Sequence, residues 1–265
     1  MMHVSAASII CMGVSALVSI GTPIVLFVIF YRKYKLRALP LLAGSLAFVL
    51  FVLILERSAH VLVLGTFNIK ENPFVYMVYG ALMAGVFEET ARFLSFNALK
   101  KKYGNIGGAL SYGIGHGGIE AMSLAGSSMI YNIVLSVMIN AGSVEAVTAD
   151  LQGEASIQAS AQITALTTTA PYLFLIGGIE RLFAIGMHLA LSVVVFYAVS
   201  CRSKRWLYLL AILLHAAVDA PVALMQTGVI QSVFLVESFV GASSVSLLLL
   251  AAFIHKNASR TAVKE

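Results

Sequence analysis

Long apolar runs separated by short polar or basic stretches set the pattern of this chain. Runs of about 20 residues, the length a helix needs to cross bilayer hydrocarbon, recur at roughly 7–31, 40–64, 74–98, 106–139, 171–200, 206–226 and 229–254. They predict seven membrane-spanning helices. The longest polar connection, about 140–170, reads "NAGSVEAVTADLQGEASIQASAQITALTTT" and leaves a capping helix and a mobile loop both open. One run differs in kind. "GVFEETARFLSF" (85–96) carries Glu88, Glu89 and Arg92 in apolar surroundings, where a charge at the bilayer centre costs at least about 2.5–3.5 kcal/mol.

Composition supports the membrane reading. Of 265 residues, 60% are hydrophobic and 11% charged, with a mean hydropathy of +0.93; soluble domains carry roughly 25% charged residues. The expected fold is all-α: a polytopic membrane helix bundle, with residues 1–265 forming a single integral membrane domain. No positive stretch precedes the first run, which exceeds the roughly 7–15 apolar residues of a signal sequence. It is read as a retained anchor.

Basic residues orient the spans. Arg32, Lys33, Lys35 and Arg37 follow the first run, and Lys100, Lys101 and Lys102 the third. Arg202, Lys204 and Arg205 follow the fifth, and Lys256, Arg260 and Lys264 the seventh, so thirteen of the 17 basic residues fall on one side. Arg57, Arg92 and Arg181 lie inside runs, leaving Lys70 alone for the other side. The positive-inside rule then places the N-terminus outside and the C-terminus in the cytoplasm. The net charge of +5 reflects this topology and attraction to anionic membrane lipids; no nucleic-acid partner is expected. A bacterial plasma membrane is the expected location. Cys11 and Cys201 sit toward opposite sides and form no CxxC pair, which argues against a disulfide and a thiolate metal site.

The buried polar residues carry the candidate chemistry. On a helix Arg92 reaches Glu88 at i,i+4 and Glu89 at i,i+3. A structural salt bridge accounts for one carboxylate and leaves the other unexplained. "GHGGIEA" adds His116 and Glu120, "ERLFAIGMH" adds Glu180, Arg181 and His188, and "LLHAAVDA" adds His215 and Asp219. At 1.5 Å per residue, Glu88 lies about 18 Å from the basic boundary at Lys100, His116 about 21 Å from Lys102, His188 about 21 Å from Arg202 and His215 about 15 Å from Arg205. Four helices thus bring ionisable groups to similar depth, as a shared site requires. Glu56, Arg57 and His60 lie shallower and read as a local ion pair; Glu180 and Arg181 read as helix–helix contacts.

Imidazoles and carboxylates without thiolate suit a divalent metal ion, zinc by preference, with an open position for water. His116, His188 and His215 are the candidate metal ligands, with help from a carboxylate, and one of the glutamates can act as general base. No helix carries HExxH, so such a site would be assembled across helices.

At these residues the chain resembles the YhfC-like family of intramembrane metalloproteases, within the superfamily of type II CAAX prenyl endopeptidases and PrsW-type proteases. The likeness runs nearly end to end. "FEETAR" resembles that superfamily's Glu-pair motif, although only Thr90 and Ala91 separate the pair from the arginine, where the prenyl-endopeptidase pattern has three residues. "GHGGIEA" and "HAAVD" resemble its later motifs. The resemblance implies a metal-dependent peptidase acting on a membrane-associated or transmembrane peptide. It implies Glu88 or Glu89 as catalytic base and His188 and His215 at the metal. Asp219 would hold metal or water, and His116 and Glu120 would be further ligands or supporting groups. Arg92 would keep one glutamate charged. The superfamily also holds the APH scaffold subunit of gamma-secretase, so a non-catalytic membrane scaffold is the alternative. A proton- or metal-coupled transporter is a third reading, although the halves show no internal repeat.

Reporter fusions after Lys102 and after Arg205 should both read cytoplasmic; an outside reading at either overturns the expected topology.

Overall fold

The computed structural model describes residues 3–262, without the side chains at 146, 147 and 259–262. Lys264 and the side chain of Arg260, counted above among the basic residues, lie outside that description. The described residues contain helices and no strand. The long elements are α1 (Ala6–Tyr34), α2 (Ala38–Thr66), α3 (Pro73–Tyr103), α4 (Ile106–Asn140), α5 (Glu154–Thr168), α6 (Pro171–Ser200), α7 (Trp206–Gln226) and α8 (Val233–Ala262). Among the described residues, six helical stretches are long and apolar enough to cross a membrane: α1, α2, α4, α6, Arg202–Gln226 and Val233–Ala258. Helix α3 spans 31 residues and carries the third apolar run together with its charges.

Local signals explain where α3 begins and ends. The Asn72 side chain accepts from the backbone N–H of Phe74 at 3.0 Å and of Val75 at 3.2 Å, and Pro73 occupies the first helical position, where its missing N–H costs nothing. Lys100, Lys101 and Lys102 occupy the last turn, where positive charge complements the helix dipole. Helix α2 is interrupted by π-type turns over Val49–Glu56, a distortion frequent near functional sites.

The chain divides into two compact units. One takes the segment up to Thr22 and Ala121–Leu182. Here the 140–170 connection is largely helical. Ile163 and Leu166 of α5 are buried with Met12, Leu135 and Ile139, and the Gln162 amide donates to Asn132 Oδ1 at 2.7 Å. Glu180 and Arg181 pair with one another.

The other unit, Pro23–Glu120 and the segment from Phe183 onward, contains every candidate site residue. Helix α6 is buried without interruption from Ala184 to Ala198, as expected of a helix apolar on all sides at the centre of a core. Helices α3 and α7 pack extensively against each other. Gly85 permits it, because a Cβ there would stand 2.6 Å from the Ile212 carbonyl oxygen. Helices α2 and α4 approach as closely: a Cβ on Gly115 would stand 2.0 Å from the Leu41 carbonyl oxygen, and the Ser45 hydroxyl donates to the Gly115 carbonyl at 3.0 Å. Small residues let membrane helices meet at backbone distance, which draws the side chains of α3, α4, α6 and α7 into one polar cluster.

Gly85→Ala should therefore destabilise the protein by about 1–3 kcal/mol. Gly80→Ala, on the same helix with no atom within 4 Å of the added Cβ, should not. Thermal unfolding of both variants in detergent checks this.

Candidate metal centre

Helix α3 places adjacent glutamates in different surroundings, since neighbouring helical residues diverge by about 100°. Glu89, fully buried, accepts through Oε1 from both Arg92 Nη1 and His215 Nδ1, the latter at 2.8 Å. Arg92 is also fully buried and extends its other terminal nitrogen to His188 Nδ1 at 3.0 Å. A guanidinium can only donate, so His188 accepts at Nδ1.

Glu88 faces the histidines. Its Oε2 lies 2.8 Å from His116 Nε2 and 3.7 Å from His188 Nδ1, and its Oε1 lies 3.9 Å from His215 Nε2. Of the two carboxylates reachable by Arg92, the arginine takes Glu89 and leaves Glu88 among imidazoles. His116 and Glu120, four residues apart, point to different partners: His116 to Glu88, and Glu120 Oε2 to His188 Nε2 at 2.5 Å. His215 and Asp219 do meet, with Nε2 and Oδ2 3.4 Å apart.

The depth estimated along each helix corresponds to proximity in space. The His116 and His188 rings are 5.0 Å apart between centroids, and those of His188 and His215 are 5.7 Å apart. Glu88, His116, Glu120 and His188 form a group whose potential ligand atoms all lie within 4.8 Å of one another. His215 and Asp219 border this group on the Glu88 Oε1 side. Glu120, expected as a supporting residue or further ligand, belongs to the tight group. Its signal in the sequence was the i,i+4 spacing from His116, which marks a shared helix face without naming the partner.

The donor set fits a divalent cation. It offers two imidazoles and two carboxylates and no thiolate, the ligand types of zinc and related ions. His116 turns Nε2 toward Glu88 Oε2 at 2.8 Å, and its buried Nδ1 has no hydrogen-bond partner among the described residues, so the ring is not committed to a structural contact elsewhere. His215 is held as metal-ligating histidines are held, with one ring nitrogen donating to a carboxylate and the other facing the site. Cys11 and Cys201 are free and take no part.

Fold and site together define a polytopic helical membrane protein with a buried cluster of histidines and carboxylates. The chain belongs to the YhfC intramembrane metalloprotease family, whose profile matches residues 14–240. It is 37% identical over 244 residues to the uncharacterised membrane protein YhfC of Bacillus subtilis strain 168, a match covering 89% of this chain and 92% of that protein. No solved structure matches.

Breaking a buried ion pair by removing one partner strands a charge, at a cost of about 3–5 kcal/mol. Arg92→Met should destabilise the protein by that order, and adding Glu89→Gln should recover part of the loss, as read by thermal unfolding in detergent. An Arg92→Met protein as stable as the wild type would show that the pair carries no structural weight.

Proposed function

We propose that this protein is an intramembrane metal-dependent peptidase with Glu88 as general base. The observation that carries the reading is the asymmetry of the glutamate pair: Arg92 neutralises Glu89, while Glu88 faces three histidines and accepts no hydrogen bond from a guanidinium. A scaffold needs a neutralised buried charge and has no use for the second carboxylate.

In this reading His116, His188 and Glu120 would hold a divalent ion, zinc by preference, His188 giving up its Nε2 proton on binding while Arg92 stays at Nδ1, with His215 and Asp219 completing its surroundings. When bound, such an ion supplies Lewis-acid polarisation of a peptide carbonyl and lowers the pKa of a water. Glu88 takes the proton from the attacking water as its oxygen adds to the carbonyl carbon. Glu88 then returns that proton to the amine nitrogen as the C–N bond breaks. Glu89 is a positioning residue: it holds His215 by the Nδ1 hydrogen bond and is itself held by Arg92. The dry surroundings strengthen each of these contacts. The N-terminus outside and the C-terminus in the cytoplasm complete the proposal, with a membrane-associated or transmembrane peptide as substrate in a bacterial plasma membrane.

Glu88→Gln keeps shape and hydrogen bonding and removes the proton acceptor. It should lower peptide cleavage by about 10²–10⁴-fold while zinc content, measured on protein purified without chelators and supplied with zinc, stays at the wild-type level. His116→Ala and His188→Ala should reduce zinc binding. Wild-type protein that binds no zinc overturns the metal assignment. A Glu88→Gln, Glu89→Gln double variant that still cleaves overturns the general base.

A further inference from the structure

A cavity of about 350 Å³ opens directly beside the metal centre. Two helical stripes run into it from the site, each stepping four residues at a time, and α2 adds a third wall. On α3 the residue following Glu88 outward is Ala84, then Gly80, then Tyr76; on α7 His215 is followed by Asp219 and Ala223; α2 contributes His60 and Leu64. Residues at i,i+4 share a helix face, so the faces that build the site also wall the cavity. Asp219 belongs to both. It lines the cavity, its side chain is about a third exposed, and its Oδ2 lies 3.4 Å from His215 Nε2.

The walls combine small apolar residues with anchored polar groups. Gly80 leaves open space, with nothing within 4 Å of a Cβ added there, and Ala81, Ala84 and Ala223 add little bulk. The Tyr79 hydroxyl is fixed by His60 Nδ1 at 2.9 Å, and His60 Nε2 is fixed in turn by the buried Glu56 carboxylate at 3.2 Å. Across the cavity the Tyr76 hydroxyl donates to Gln226 Oε1 at 3.2 Å, which leaves the Gln226 amide N–H groups to serve as donors. Donors and acceptors on apolar small-residue walls match an extended peptide backbone, whose N–H and C=O groups need partners away from water. Ligand pockets run from about 300 to 1,000 Å³. A cavity at the low end takes a short unwound stretch with small side chains.

We propose that this cavity is the subsite that binds the peptide chain on one side of the scissile bond. Tyr79 and Gln226 hold its backbone, and Gly80 and Ala84 restrict it to small side chains. The Glu56–His60 pair, which the sequence alone presents as a local contact, thereby positions Tyr79 for substrate. The proposal rests on the peptidase reading above.

The test is cleavage of a library of short apolar peptides by zinc-supplied, detergent-purified protein, read by mass spectrometry. Wild type should prefer Gly, Ala and Ser at positions on one side of the cut. Gly80→Leu fills open space on a helix face, so it should keep wild-type zinc content and melting. It should lower cleavage of the preferred peptides by at least the roughly 10–200-fold that a single methylene commands in a pocket, with Gly80→Ala intermediate between it and wild type. Tyr79→Phe, which removes one hydrogen bond, should lower the rate by about two- to tenfold. If wild type cleaves while these variants leave both rate and residue preference unchanged, the subsite is overturned and the peptidase stands. If wild type cleaves nothing in the library, the peptidase reading falls and the subsite with it. Should Gly80→Leu fail to fold, Gly80→Ala and Tyr79→Phe decide the matter on the same criteria.

Discussion

One carboxylate oxygen organises the interior. Glu89 Oε1 accepts from Arg92 on its own helix and from His215 on α7, in surroundings too apolar for any of the three to stand alone. An ion pair in such a place adds little net stability, since its desolvation offsets its attraction, but losing one member is costly. The contact therefore acts chiefly as a register. It holds α3 and α7 at one relative height and, through the Arg92 hydrogen bond to His188, holds α6 to the same level.

Glycine supplies the distances that this register needs. Gly85 brings the α3 backbone against the Ile212 carbonyl, and Gly115 brings α4 against the Leu41 carbonyl of α2. Gly117 faces the His188 ring itself, with a hypothetical Cβ 3.1 Å from it. Side chains as short as Glu and His can then reach across helix boundaries. With larger residues at these crossings the same charges would sit too far apart to satisfy each other in an apolar medium, and each would bear its own desolvation.

Two neighbouring glutamates thus acquire different characters from one geometric fact. Rotation of about 100° between successive helical residues sends Glu89 toward Arg92 and His215 and sends Glu88 toward His116 and His188. A carboxylate neutralised in place suits support, whereas one held among imidazoles can exchange a proton. This division is what supports an enzyme over a membrane scaffold. The cavity beside Asp219 adds space where a substrate chain would be needed.

Periodicity and hydropathy alone determined much of the architecture. The apolar runs foretold the long helices, because a segment that must satisfy its backbone inside lipid has little alternative to a helix. Common depth picked out Glu88, His116, His188 and His215 as neighbours. The partners could not be read the same way. Arg92 reaches Glu88 and Glu89 equally well along one helix, and only His215 arriving from α7 and His188 from α6 decide for Glu89. Glu120 meets His188 of α6, a partner its spacing from His116 does not name, for the same reason. His60 and Leu64 come to border a cavity because α2 packs beside α3 and α7 at that level. Spacing along a helix fixes which face a side chain shares. Which other helix meets that face depends on close packing between segments remote in sequence, and that is settled only in the folded structure.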